Sequence, residues 1–233
     1  MATLNPTLVE EPRPRSSGGG GAPPQAGEGG GGGDGFSFGD RLRRNRIGMA
    51  VALAPIVMVF VAFTSAYIFR QGLGEDWRSM ELPQILWINT LILVASSITL
   101  ELARRGLARE VALAEVPSVP GVAPVETASA PWLPITLVLG LGFLAGQWMA
   151  WSQLARQGMF ISSNPSSSFF YLMTGAHALH LLGGLAALAY AAVTAVLSHA
   201  AERRRMVVDV TSWYWHFMAV LWIYIFALLQ FAK

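Results

Sequence analysis

The chain has 233 residues, of which 53% are hydrophobic and only 13% charged. Soluble domains usually carry about 25% charged residues, so an ordinary water-facing surface is excluded, and a formal net charge of +2 is too small to argue for nucleic acid as a partner. With no cysteine in the sequence, there is no disulfide framework and no thiolate metal site.

Residues 1–40 differ from the rest. Gly18 to Gly35 are mostly glycine, interrupted by Pro23 and Pro24. Such a stretch cannot bury enough apolar area to offset its conformational entropy, and it is read as a disordered tail on the cytoplasmic side. It lacks the apolar h-region of a signal peptide near Met1. Its glycines are low-complexity, with no strand before them and no helix after, so they are no dinucleotide fingerprint.

Five apolar runs of bilayer length follow. The first spans about 47–69 and contains Pro55, which tends to kink a helix but is tolerated in membranes. The second spans about 82–102, with Pro83 at its start, where a missing N–H costs nothing. A linker over 106–130 carries Pro117, Pro120 and Pro124; its first residues, Leu107 to Ala114, can extend the second helix beyond the bilayer, and the rest reads as exposed loop. The third run spans about 132–154, opened by Pro131 and Pro134. The polar turn Ser162-Ser163-Asn164-Pro165 is a helix-initiation signal for the fourth, about 169–197. This run exceeds the hydrocarbon thickness and predicts tilt or protrusion. The fifth spans about 210–231, with Asp209 as its expected N-cap. The fold class is thus an all-α membrane protein, a bundle of five transmembrane helices.

The arginines orient it. Arg41, Arg43, Arg44 and Arg46 precede the first run, Arg104, Arg105 and Arg109 follow the second, and Arg203, Arg204 and Arg205 separate the fourth from the fifth. The opposite ends carry only Arg70, Arg78, Arg156 and Lys233. With five spans all three clusters fall on one side, which by the positive-inside rule is the cytoplasm. The N-terminus is expected inside and the C-terminus outside. Trp77, Trp87, Trp132, Trp148 and Trp151 lie near predicted helix ends, as an aromatic belt or as packing residues.

Ionisable residues inside a bilayer are costly and usually functional, and here they are scarce. Glu101 is expected to pair with Arg104 and Arg105 at i+3 and i+4. No row of carboxylates could relay protons, and five spans show no inverted repeat, which disfavours a transporter. The fourth run carries Gly175, His177, His180, Gly183 and Gly184. The two histidines share a helix face about 60° apart. One reading makes them haem or metal ligands with His216; a mononuclear site would need further ligands. The other makes them buried histidines hydrogen-bonded across helices in a region that the glycines pack tightly. Lipid or partner contact is a third reading. His199 reads as an interfacial residue. Gln147 is expected to hydrogen-bond a neighbouring helix. The fifth run is dense in aromatics, Trp213, Tyr214, Trp215, Trp222 and Tyr224, with 215, 222 and, less closely, 218 on one face: a membrane-interface anchor or a packing surface.

These residues carry a resemblance. The stretch Met173-Thr174-Gly175-Ala176-His177-Ala178-Leu179-His180-Leu181-Leu182-Gly183-Gly184 is similar to the helix motif of subunit III of haem–copper oxygen reductases. So is Trp213-Tyr214-Trp215-His216-Phe217 with Val220-Leu221-Trp222. Arg46-Ile47-Gly48-Met49, Asn89-Thr90, Ser96-Ser97, Thr99 and Gln147 match in the same order, and the likeness covers nearly everything from Arg41 to Lys233. It resembles the five-helix form. The chain departs from the pattern at three acids: Leu53-Ala54-Pro55-Ile56-Val57, Ala150 and Ala219 stand where members often carry a carboxylate, so no role of those acids carries over.

The resemblance implies an accessory subunit without a catalytic centre of its own. Haem and copper would sit in partner subunits, and none in this chain. Oxidase subunit I would be the main partner, with other oxidase subunits and bound phospholipid beside it, in a bacterial-type cytoplasmic membrane. The complex would reduce oxygen to water and pump protons, with cytochrome c or a quinol as donor; association with a nitric-oxide reductase, and membership of a larger respiratory supercomplex, stay open. On this reading His177, His180, Gly175, Gly183, Gly184, Gln147, Asn89, Trp213, Trp215 and His216 are structural, lipid or partner contacts, and no residue is catalytic. A haem-binding membrane protein and a small transporter are the alternatives.

Overall fold

The computed structural model describes residues 38–73, 82–114, 131–198 and 200–231. They form five helices: α1 (Phe38–Leu73), α2 (Ile85–Ala114), α3 (Trp132–Arg156), α4 (Pro165–Leu197) and α5 (Ala201–Phe231). All five are long and apolar enough to cross a membrane, and no strand occurs among the described residues. Most of the glycine-rich tail, residues 1–37, lies outside the described residues. So do Trp77, Arg78, the proline-rich part of the linker over 115–130, His199 and Lys233.

The helices outrun the apolar segments that announce them. Residues 38–40, expected in the tail, already belong to α1, with Asp40 in its first turn where a carboxylate suits the helix dipole. α2 continues through Arg104, Arg105 and Arg109 to Ala114. α5 begins eight residues before Asp209. Hydropathy marks where lipid begins and ends, whereas the backbone hydrogen-bond ladder continues wherever propensity allows, and arginine, glutamate and alanine are good helix formers. Pro55 lies within α1, whose helical assignment is unbroken across it.

The turn between α3 and α4 is closely specified. Gly158, with φ +75°, closes α3: its N–H donates to Ala155 O and that of Met159 to Leu154 O, the paired bonds of a Schellman motif. Asn164 then caps α4 by accepting from Ser167 N at 2.9 Å, Ser167 Oγ reciprocates, and Pro165 takes the first helical position. Tyr171 reaches back to donate to Met159 O at 2.9 Å.

Four helices close a ring, α2 on α3, α3 on α4, α4 on α5 and α5 back on α2, while α1 lies outside against α4 and α5. Lipid gives no hydrophobic driving force between helices, so close packing and interhelical hydrogen bonds, averaging about 0.6 kcal/mol each, must hold them. Every contact in the ring has such a bond. Thr99 and Thr136 join α2 to α3 at 2.8 Å, and Trp151 donates to Thr174 at 3.2 Å between α3 and α4. Tyr214 donates to His180 O at 2.8 Å between α5 and α4. Trp215 donates to Ser96 and Trp222 to Thr90, both at 3.0 Å, between α5 and α2. Outside the ring, Tyr224 and Thr64 join α5 to α1 at 3.0 Å.

Candidate functional site

The three arginine clusters meet at one end of the bundle. Asp209, one of two acids on α5 among the described residues, is buried there. Arg46 of α1 donates to it in a fork, Nε to Oδ2 at 2.7 Å and Nη2 to Oδ1 at 2.6 Å, and Arg104 of α2 adds a bond at 3.3 Å. Arg104 also forks onto Glu101 at 2.7 and 2.8 Å, and Arg105 bonds Glu101 at 2.7 Å. Nε2 of His216 stands 3.8 Å from Glu101. Around this core, Arg41 pairs with Glu202 at 3.1 Å and Arg204 bonds Glu110. The network spans three helices, and its central forks have the bidentate geometry of strong charge-assisted hydrogen bonds.

An open cleft of about 610 Å³ adjoins it. One end is polar, with Arg46, Glu101, Arg104, Ser212 and His216; Leu53, Trp213, Phe217 and Val220 make an apolar wall. The arrangement has the two-part character of an amphiphile's counterpart, cationic where a headgroup would sit and aromatic–aliphatic along a chain.

Further along the bundle, a second set of sequence-selected residues forms a buried layer. Asn89 donates to Phe143 O at 3.3 Å and lies against Gly146, where any Cβ would come within 1.8 Å of its Oδ1. His177 is fully buried, its ring set between Phe143 at 6.2 Å and Trp222 at 5.2 Å. His180 turns the other way, towards Phe60 of α1, and its Nδ1 pairs with Ala176 O of its own helix at 2.7 Å. Trp215 is buried between Gly140 and Gly184, while Trp213 is exposed on the cleft.

Several expectations change. Asp209 is no N-cap: it sits more than two turns inside α5, because the arginine-rich segment before it is helical. Gln147 and His177, expected to bond neighbouring helices, have all their side-chain polar atoms buried and without a partner among the described residues. The three candidate haem or metal histidines do not converge, since His177 faces the ring interior, His180 faces α1 and His216 joins Glu101 at the charged end. No group of three potential His, Asp or Glu ligands occurs among the described residues. The glycines divide. Gly184 lies against Tyr214, where a Cβ would meet Cε1 at 2.9 Å; Gly183 is looser; Gly175 meets nothing within 4 Å. Close approach falls also on Gly140 and Gly146 of α3, which had no motif to mark them. The face shared by 215, 218 and 222 is buried as its spacing implies, and Glu101 pairs with Arg104 and Arg105. The role of Asp209 as hub was missed, although a lone acid flanked by arginines at the edge of an apolar run was a usable signal.

A family model described as cytochrome c oxidase subunit III matches residues 43–232. Among curated proteins, the probable cytochrome c oxidase subunit 3 of Nocardia farcinica is 31% identical over 191 residues, covering 80% of this chain and 87% of that protein. The cytochrome c oxidase subunit 3 of Corynebacterium diphtheriae is 32% identical over 196 residues, with the same coverage. That of Thermostichus vulcanus is 29% identical over 187 residues, covering 78% and 85%.

Proposed function

The chain belongs to the cytochrome c oxidase subunit III family, and from that premise we propose that it is a non-catalytic accessory subunit of a respiratory haem–copper oxidase. It stabilises subunit I, which carries the haems and copper and couples oxygen reduction to proton pumping. The complex sits in a bacterial cytoplasmic membrane, with the arginine-rich end of this subunit on the cytoplasmic side. The family match, running the length of the bundle, is the observation that carries this reading. In keeping with it, the motif residues Asn89, Trp215 and Trp222 are turned inward to packing and hydrogen bonding.

The cleft beside Arg46 and Arg104 is the place we assign to bound phospholipid. Its cationic end suits a phosphate, and its apolar wall suits an acyl chain. The ion network would then fix α1, the helix outside the ring, at a distance from α2 that keeps the cleft open.

Affinity purification of the tagged chain from its own membranes tests the central claim. Haem–copper subunit I and its visible spectrum should co-purify; a chain recovered without either would overturn the reading. Phospholipid quantified in the purified complex should fall when Phe217 or Val220 is replaced by aspartate, and an unchanged lipid content would remove the lipid from the cleft.

A further inference from the structure

The buried layer of α3 and α4 contains a polarity that the described residues do not satisfy. Gln147 is 2% exposed and His177 0%. Both Nε2 and Oε1 of the glutamine and both ring nitrogens of the histidine are buried without a hydrogen-bond partner among the described residues. Stranding such atoms in an apolar bundle carries their full desolvation penalty, and here four lie in two side chains.

The two side chains share one level and one interior. α3 and α4 run antiparallel. Trp151 is bonded to Thr174 at one point, and Gly140 lies against Leu185 at another. Interpolating between these contacts sets Gln147 opposite His177. Gln147 follows Phe143 by four residues and Gly140 by seven, so it lies on the same helix stripe. That stripe faces α4 and α5, because Phe143 touches the rings of His177 and Trp222 and Gly140 lies against Trp215. The stripe also carries two small buried residues, Gly140 and Ala150.

A direct bond between the two residues cannot resolve the deficit. The nitrogens of an imidazole point away from each other, so a glutamine amide that pairs with one leaves the other stranded. The aromatic neighbours offer nothing: Phe143 has no polar atom, and the indole N–H of Trp222 already donates to Thr90. The chemistry required is set by the inventory. A neutral histidine offers one donor and one acceptor, and the glutamine amide offers donors and an acceptor. A cation would use only acceptors, and an anion only donors. A small neutral molecule that both donates and accepts uses all of them.

We infer that Gln147 and His177 form an internal water site that links α3 to α4 at mid-bundle. Buried waters typically make about three hydrogen bonds to otherwise unsatisfied polar groups, and one or two waters here would bridge the ring nitrogens to the amide. The bridge pins the rotation of α4 against α3 at a level where the other contacts are ring faces and apolar side chains.

A density map of the purified oxidase at water-resolving resolution tests this on the native protein. A peak within hydrogen-bond distance of a His177 nitrogen and of the Gln147 amide is expected. A map with no peak, or with both side chains paired only to protein atoms, overturns the site. A double-replacement cycle on thermal unfolding of the purified subunit gives an independent reading. Gln147→Leu and His177→Leu should each strand the other residue and lower the midpoint by about 3–8 °C. The double variant should fall no further than the worse single one. Additive losses would mean that the residues share no site. Neither outcome bears on the accessory-subunit reading, which subunit I co-purification tests separately.

Discussion

Arg46 and Asp209 stand 163 positions apart in the chain, yet both carboxylate oxygens of Asp209 are held by the Arg46 guanidinium, at 2.7 and 2.6 Å. The aspartate is buried and shared with Arg104, whereas the Arg46 side chain is 38% exposed. The pair is therefore asymmetric. Its acid depends on the protein for solvation, and its base does not.

Arg46→Ala should consequently be more damaging than Asp209→Asn. Replacing the acid leaves Arg46 to water and Arg104 to its fork with Glu101, for about 1 kcal/mol or less. Removing Arg46 leaves the buried Asp209 carboxylate with its 3.3 Å bond to Arg104 in place of the fork, for a loss of about 2–3 kcal/mol, or a melting midpoint lowered by about 4–10 °C. Differential scanning fluorimetry in detergent compares the two; equal effects would show that Asp209 is solvated after all.

Gly146→Ala and Gly175→Ala should move stability in opposite directions. At Gly146 the new methyl would land 1.8 Å from Oδ1 and 2.6 Å from Cγ of Asn89. The amide would have to abandon Phe143 O, or α2 and α3 would have to part. Overpacking of this kind costs about 1–3 kcal/mol. At Gly175 a methyl meets nothing within 4 Å, and replacing a mid-helix glycine gains about 0.5–1 kcal/mol in propensity. Thermal midpoints of the two purified variants against the parent settle the sign of each.

That contrast shows where the sequence could be read and where it could not. The spans were legible because an apolar run of bilayer length, nearly free of charge, suits a membrane crossing and little else. The buried face of Trp215, Met218 and Trp222 was legible because helical spacing dictates it. Which glycine is indispensable was not, because a motif containing Gly175, Gly183 and Gly184 says nothing about what lies opposite each one. Asp209 was misjudged for a related reason. An acid at the edge of an apolar run has the appearance of a cap until the polar segment before it proves helical. The missing partners of His177 and Gln147 lie in three dimensions only, since both residue types usually find hydrogen bonds across membrane helices.

Among the motif tryptophans, Trp215 and Trp222 should be intolerant of phenylalanine and Trp213 indifferent to it. Trp215 is buried, donates to Ser96 at 3.0 Å, and fills the space beside Gly140 and Gly184. Trp222 donates to Thr90, and its ring lies 5.2 Å from that of His177. Each replacement loses an interhelical bond and ring contacts, for about 1–2 kcal/mol. Trp213 is 46% exposed, and Trp213→Phe keeps an aromatic ring on the cleft. Unfolding midpoints of the three variants should fall for the first two and stay within error for the third.

Orientation in the membrane can be read with cysteines, because the native sequence contains none and every introduced thiol reports alone. Two exposed positions lie at opposite ends of the bundle: Ala112, one turn beyond the α2 arginines, and Ser162, in the turn between α3 and α4. Neither takes part in the ion network, and serine to cysteine is nearly isosteric. The positive-inside rule assigns the arginine-rich end to the cytoplasm. A membrane-impermeant maleimide added to intact spheroplasts should therefore label Ser162→Cys and spare Ala112→Cys until the membrane is broken; inverted vesicles should give the opposite pattern. The reversed result would turn the whole bundle over, because the helices are antiparallel neighbours in one ring. It would also place the cleft bounded by Arg46 and Arg104 on the outer face, and with it any lipid headgroup that the cleft selects.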